Sequence, residues 1–284
     1  MVHLSAGLSP AALDAIAGLE HRVVAADGGR LKLEWGTLRN RAGRDVEDFL
    51  WWRDERLLGF LGIYSHGAPV IELAGMVDPE ARGRGVGAAL LDAALRVCRE
   101  RRQTATLLVV PRTSAAGRAL ALRRRGTLDH SEHALQLFGQ PNDVSTDPHV
   151  TIRAATVKDL PTVHELRNLG FGWQPPAPGS HRAGSPAVVD PDTLVIERDG
   201  VLIGTVRLTR ELDNAGIYGF VIHPDHQGRG IGRDVLHRLC RKAQADGANL
   251  VSLEVATDND RALNLYTSLG FRQATTEDYY ALPD

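Results

Sequence analysis

Cysteine is almost missing from this chain: Cys98 and Cys240 are the only two among 284 residues, far apart and without metal-ligand spacing. They read as reduced, partly buried thiols of a cytoplasmic protein, and no metal site is expected. An excess of one charge sign is missing as well. The formal net charge is −2, so there is no global field to grip nucleic acid or an anionic membrane. No uninterrupted apolar run approaches the roughly 18 residues needed to span a bilayer. The start, Met1-Val2-His3-Leu4-Ser5, lacks the basic opening and apolar stretch of a secretory signal.

What is present is ordinary in amount: 43% hydrophobic, 24% charged and 5% aromatic residues, enough for packed soluble cores. The length exceeds one compact α/β domain and suits two of about 140 residues.

The chain repeats itself. Arg82-Gly83-Arg84-Gly85-Val86-Gly87 returns as Gln227-Gly228-Arg229-Gly230-Ile231-Gly232, at an offset of 145 residues. The same offset carries Pro79 onto Pro224, Leu58-Gly59 onto Ile203-Gly204, and Arg53-Asp54 onto Arg198-Asp199. Apolar positions after the glycines coincide too: Val86, Leu90 and Leu91 with Ile231, Val235 and Leu236. A period this long does not fit a solenoid and fits two fused copies of one domain, spanning 1–140 and 149–284. The polar, proline-punctuated stretch from Gly139 to Pro148 reads as the linker.

Periodicity gives the second copy a strand at 150–154, a helix at 156–170, and a hairpin of 193–197 with 201–208 turned by Asp199-Gly200. A strand at 216–222, a helix at 231–245, a strand at 250–255, a helix at 260–269 and a closing strand or hairpin at 273–282 follow. This order predicts an α/β class in the α+β sense: a mixed, mostly antiparallel sheet flanked by helices, built twice.

The strongest chemical signal is the strand, then Gln227 to Gly232, then an amphipathic helix. A helix start offers unpaired N–H groups and the positive end of its dipole, and glycines let a pyrophosphate approach the backbone. Arg229 adds a cation at the rim. The spacing G-x-G-x-G, with no Lys-Ser/Thr behind it, is neither a dinucleotide fingerprint nor a kinase-type phosphate loop.

What the loop does resemble is the coenzyme A loop of the Gcn5-related N-acetyltransferase family: [Gln/Arg]-x-x-Gly-x-Gly after a strand ending in Met76-Val77-Asp78-Pro79 or Val221-Ile222-His223-Pro224. The resemblance implies acetyl-CoA as co-substrate, held by the second loop with Val221 and Ile222 at the pantetheine arm, while in the first copy Met76, Val77 and Arg82 to Gly87 are the matching cofactor-binding candidates in a domain that either binds acetyl-CoA or serves as a scaffold. A second segment, Leu253-Glu254-Val255, Asn259, Ala262, Leu265-Tyr266 and Leu269-Gly270-Phe271, resembles the same family and especially its protein N-terminal alanine acetyltransferase branch.

On the strand at 250–255, Leu250, Ser252 and Glu254 share the more polar face, which puts a carboxylate near the strand's C-terminal end. Glu254 is therefore the candidate general base for a substrate ammonium, or its anchor. Tyr266 lies seven residues after Asn259, two helical turns on along the same face. The resemblance assigns Tyr266 as proton donor to the departing sulfur and Asn259 as a cofactor contact. In the first copy these positions fall on Val109 and Ala121, or on Val110 and Leu122 if the register slips by one. The first copy is thus expected to be catalytically silent, although Glu72 offers a different carboxylate.

The expectation is an N-acetyltransferase working on a small-molecule or peptide amine by direct attack in a ternary complex, as a monomer or homodimer. The rival is a non-catalytic acyl-CoA sensor or partner-binding pseudoenzyme. Gly172 to His181, rich in proline and glycine, reads as a loop that could cover the acceptor.

Overall fold

A computed structural model describes residues 2–65, 70–101, 105–171 and 189–283. The chain divides into two compact units, Met1–Glu132 with Ala274–Asp284, and His133–Gln273. These differ by one strand each from the contiguous spans 1–140 and 149–284.

Unit 1 begins with β1 (Val2–Ser5), α1 (Pro10–Asp27) and α2 (Trp35–Arg39). Ser9 caps α1, its hydroxyl accepting from Ala12 N at 3.2 Å, with a proline at the first helical position. Then come β2 (Asp48–Arg53), β3 (Arg56–Tyr64), β4 (Val70–Val77), α3 (Val86–Glu100), β5 (Ala105–Pro111) and α4 (Ala115–Arg123). Strand order is β1-β2-β3-β4-β5, and the chain's last strand, β12 (Arg272–Leu282), pairs antiparallel with β5. The sheet is buried on both faces, which is why β3 reads as a nearly continuous apolar run. One core packs Leu61, Ile63, Leu73, Leu108 and Val110 under α3 and α4. The other packs Phe60, Tyr64, Met76, Leu107 and Val109 under α1 and α2.

Unit 2 takes up the chain within β6 (Thr127–Phe138), then β7 (Val150–Ala154), α5 (Leu160–Phe171), β8 (Thr193–Arg198), β9 (Val201–Glu211), β10 (Asn214–Ile222), α6 (Ile231–Ala245), β11 (Leu250–Ala256) and α7 (Asp260–Ser268). Strand order is β6-β11-β10-β9-β8-β7. The expected helix at 156–170 opens instead as a 3-10 turn, Val157–Asp159, ahead of α5. Thr156 and Asp159 form a capping box there, and Arg153 grips both Asp159 oxygens at 2.7 and 2.9 Å. The single large core lies under α6 and α7, with Ile217, Val235, Leu236, Leu239, Val251, Leu253 and Val255 joined by Leu135 and Leu137 of β6.

Closing strands are therefore exchanged: β12 ends the repeat that carries unit 2 but completes unit 1, and the end of β6 completes unit 2. The expected closing element at 273–282 is one strand, without a hairpin.

The even 145-residue offset conceals two compensating changes. Gly59 faces Val77 and Gly204 faces Ile222, at that offset. At the other end of the same strands Val70 faces Ala105 while Asn214 faces Leu250, so β4 and β10 are there displaced by one residue less. A bulge between Tyr218 and Val221 supplies the extra residue in β10, and the chain from Thr209 to its partner Gly216 is one residue shorter than that from Tyr64 to its partner Glu72.

Candidate active site

Two neighbouring parallel strands part company in unit 2. β10 and β11 pair from Asn214 with Leu250 to Ile217 with Leu253, and then both run on unpaired with each other. The bulge, with Gly219 at φ 57°, falls where they separate. A wedge thus opens between β10 and β11 at their C-terminal ends, where sites in sheets with parallel strands open.

The glycine loop borders this wedge. Gly228 and Gly230 hold φ of 76° and 84°, the left-handed region that glycine enters without strain, and a β-carbon on either would meet nothing within 4 Å. Space above the loop is open. Gly230 is also the N-cap of α6, and its carbonyl accepts from Arg233 N and Asp234 N at 3.1 Å each. Helix geometry leaves the N–H groups of Ile231 and Gly232 without an intrahelical acceptor. Arg229 and Arg233 are exposed beside them. Gln227 fastens the loop to the strand, its Nε2 donating to Ile222 O at 2.7 Å. An arrangement of this kind suits a pyrophosphate.

β11 alternates as expected. Val251, Leu253 and Val255 enter the core under α6, which leaves Ser252 and Glu254 half-buried on the face toward α5. On that same face lie Arg207 and Thr209 of β9, and Tyr218 and Val221 of β10. α5 approaches so closely that a β-carbon on Gly170 would come within 2.5 Å of Val221 Cγ2.

Asn259 caps α7, its Oδ1 accepting from Ala262 N at 3.0 Å, so its side chain has N–H donors left to offer a ligand. Tyr266 lies on α7 in the core, 8% exposed, edge-to-face with Phe271 at 6.1 Å. Burial pushes its phenol up to about 12, which keeps the proton on at neutral pH. Glu254 and Tyr266 thus belong to opposite faces of the sheet, separated by the wedge. Cys240 is fully buried in the same core with its thiol pushed up to about 12 by burial, an inert nucleophile.

Unit 1 repeats the loop with different surroundings. Gly83 and Gly85 hold φ of 73° and 84°, and Gly85 caps α3, which starts Val86-Gly87. Arg82 donates to Val77 O at 3.2 Å and grips both Asp27 oxygens at 2.8 and 2.7 Å; Arg84 is exposed. β4 and β5 also separate, after Leu73 with Leu108, but without a bulge. The pairing puts Val109 in Glu254's place, inside the core under α1 that also takes Met76. Ala121 at Tyr266's offset is fully buried. Glu72 lies 3.4 Å from the buried Lys32 ammonium.

Sequence reasoning missed Arg261, whose Nη1 donates to Gln227 Oε1 at 2.8 Å, and Arg207 on the face toward α5. No spacing rule marks either. The expected covering loop, Gly172 to His181, lies outside the described residues. Among the described residues no group of three or more His, Cys, Asp or Glu could hold a metal ion, and no helix is long and apolar enough to cross a membrane.

Comparison with known proteins gives the family and the fold. A family model described as "Acetyltransferase (GNAT) family" matches residues 20–126 and again 160–271. A mycothiol acetyltransferase of Rhodococcus jostii is 30% identical over 94% of this chain and 93% of its own. One from Clavibacter sepedonicus is 30% identical over 77% and 75%. Among solved structures, a GCN5-related N-acetyltransferase from Sphaerobacter thermophilus superimposes with a TM-score of 0.78 at 19% identity, over 99% of this chain and 96% of that one. A tandem GNAT protein from the clavulanic acid biosynthesis pathway gives 0.65 at 18% identity over the full length of both.

Proposed function

The chain belongs to the GNAT acetyltransferase family as a tandem member using acetyl-CoA, and from that premise we propose that unit 2 alone transfers the acetyl group, to a primary amine. The observation that carries this reading is the contrast between equivalent faces. Unit 2 has polar groups and Glu254 beside the wedge, where unit 1 has Val109, Leu107 and Met76 packed in an apolar core.

Acetyl-CoA lies with its pyrophosphate on Gln227 to Gly232 and its pantetheine arm between β10 and β11, along Val221 and Ile222, with Asn259 donating to it. The thioester then reaches the middle of the sheet. Glu254, from the α5 side, accepts the ammonium proton and orients the amine. The free amine attacks the thioester carbonyl, the C–N bond forms, and the C–S bond breaks. Tyr266, from the α7 side, gives its proton to the leaving thiolate, and the second proton shed by the acylated nitrogen restores the phenol. A ternary complex without an acetyl-enzyme is favoured, since Cys240 is buried and protonated.

Met76, Val77 and Arg82 to Gly87 form a second cofactor seat without the acid and base, so unit 1 is a silent copy with a binding role. Similarity to the mycothiol acetyltransferases over nearly the whole chain makes the acceptor of those enzymes the first amine to test.

The deciding experiment measures thiol release from acetyl-CoA with a panel of amines, for the wild type, Glu254→Gln and Tyr266→Phe. Turnover that both substitutions cripple supports the reading. Calorimetric binding of acetyl-CoA without turnover of any amine would favour an acyl-CoA sensor instead.

A further inference from the structure

Unit 1 buries a lysine, a side chain seldom found inside a protein. Lys32 is 8% exposed, on the short stretch between α1 and α2. Gly28 and Gly29, with φ of 71° and 75°, turn the chain out of α1. Two tight three-residue turns follow: Leu33 N donates to Leu31 O and Trp35 N to Leu33 O, at 3.0 Å each. Lys32 is the middle residue of the first. Beyond them Trp35 Nε1 donates to Glu20 Oε2 at 2.9 Å, which fastens the start of α2 back onto α1.

This stretch lies at the mouth of the wedge of unit 1. Ala74 and Val109 are the first residues of β4 and β5 beyond their last pair, Leu73 with Leu108. Leu31, Lys32 and Leu33 border a cavity together with Ala74, Gly75 and Val109, and its volume is about 10 Å³, room for about one water molecule. Three strands hold the ammonium. Lys32 Nζ lies 3.4 Å from Glu72 of β4 and 3.7 Å from Glu132 of β6, and it donates to the Tyr279 hydroxyl of β12. Tyr279 donates in turn to Glu132 Oε2 at 2.6 Å, and His130 stacks on its ring at 4.1 Å. Withdrawing the cation leaves two half-buried carboxylates to repel each other, so the ion pairs keep the stretch in place.

Resting on the reading of unit 1 as a second cofactor seat, we propose that Lys32 and its flanking leucines close the acceptor side of that seat, so that it takes coenzyme A or acetyl-CoA and excludes longer acyl thioesters. Val109 stands in Glu254's place, so the stretch occupies in unit 1 the position that the amine takes in unit 2. A cavity with room for one water cannot hold a chain of several methylenes. A longer acyl group must push the stretch out and part the Lys32 ion pairs, which costs affinity. Lys32 is thus a specificity residue for the ligand of unit 1. The seat then binds the two forms of the cofactor that unit 2 consumes and releases.

The test uses the full chain carrying Gly230→Trp, whose side chain projects into the open space over the loop of unit 2, so that binding seen by calorimetry belongs to unit 1. Coenzyme A and acetyl-CoA are expected to bind within about threefold of each other, and hexanoyl-CoA at least about tenfold more weakly. Adding Lys32→Ala should bring hexanoyl-CoA to within about threefold of acetyl-CoA. Hexanoyl-CoA held as tightly as acetyl-CoA before that change, or an undiminished gap in a folded Lys32→Ala chain, overturns the proposal. Should Lys32→Ala melt early, the acyl series without it remains decisive. Should Gly230→Trp melt early, the wild type is titrated: two sites for coenzyme A and fewer for hexanoyl-CoA are expected, and two for both overturns the proposal. No binding of coenzyme A by a folded Gly230→Trp chain overturns the second seat and this proposal together, and leaves catalysis by unit 2 standing.

Discussion

Arg261 and Gln227 are joined by a 2.8 Å hydrogen bond that ties the first turn of α7 to the glycine loop of unit 2. Through Gln227 Nε2 the tie continues to the end of β10, at 2.7 Å from Ile222 O. In unit 1 the loop has the same backbone but another anchor: Arg82 turns its guanidinium to Asp27 at the end of α1. In unit 2 the loop is thereby linked to the helix that carries Tyr266.

Arg261→Ala should therefore loosen the cofactor seat. One charge-assisted hydrogen bond at an exposed site contributes about 1 kcal/mol, so acetyl-CoA affinity should fall about fivefold. Titration calorimetry reads this directly; an unchanged Kd means that the tie does not shape the seat.

Tyr266→Phe should lower kcat about 10²- to 10⁴-fold while acetyl-CoA binding holds. Because burial raises the phenol to about 12, Tyr266 stays protonated through pH 10. The wild-type rate should then show no alkaline loss near pH 10 from this residue. Rate profiles of the two proteins between pH 7 and about 10.5 check both statements.

Asp159 gives a stability prediction with a definite sign. The hydrogen-bonded Arg153 guanidinium holds its carboxyl well below the usual range. A lowered folded pKa means stability that is present above the unfolded value, about 3.9, and is lost as pH falls through the folded one. Denaturant midpoints of the wild type should decline below pH 4 more steeply than those of Asp159→Asn, which should already be low at pH 7. Parallel curves would remove Asp159 as the cause.

Cutting the chain at the linker should not give two folded halves. A fragment of residues 149–284 loses Leu135 and Leu137 from its core, and the complementary piece loses the strand that pairs with β5. Each missing large core side chain is worth about 2–5 kcal/mol, comparable to the stability of a domain. The fragment 133–273 keeps the contacts of unit 2 and should melt well above 149–284, by circular dichroism. Equal melting of the two fragments would show that the β6 contribution is dispensable.

Much of unit 2 could be read from the chain because its signals are local. Gly228 and Gly230 take φ values that few other residues accept, and the alternation of Val251, Leu253 and Val255 with Ser252 and Glu254 is set by the pleat itself. The face that Glu254 occupies followed from that alternation. The bulge did not, because a chain one residue shorter between the equivalent pairs of the hairpin cancelled it and left the offset even. Nor did the 3-10 opening before α5, where Asp159 and Thr156 close a capping box ahead of the proline at 161.

By itself the sequence determined the repeat, the elements, the glycine-rich turn of both loops and the absence of a glutamate and a tyrosine from the matching positions of the first copy. These depend on backbone preferences and periodicities spanning a few residues. Tertiary structure alone decided which strand closes which unit, since β6 and β12 carry patterns that fit either sheet edge and long-range pairing makes the choice. It also decided that Arg207 and Asp190 meet, 2.7 Å apart. Arg207 belongs to β9 and Asp190 to the segment ahead of β8, and no spacing along the chain encodes their meeting.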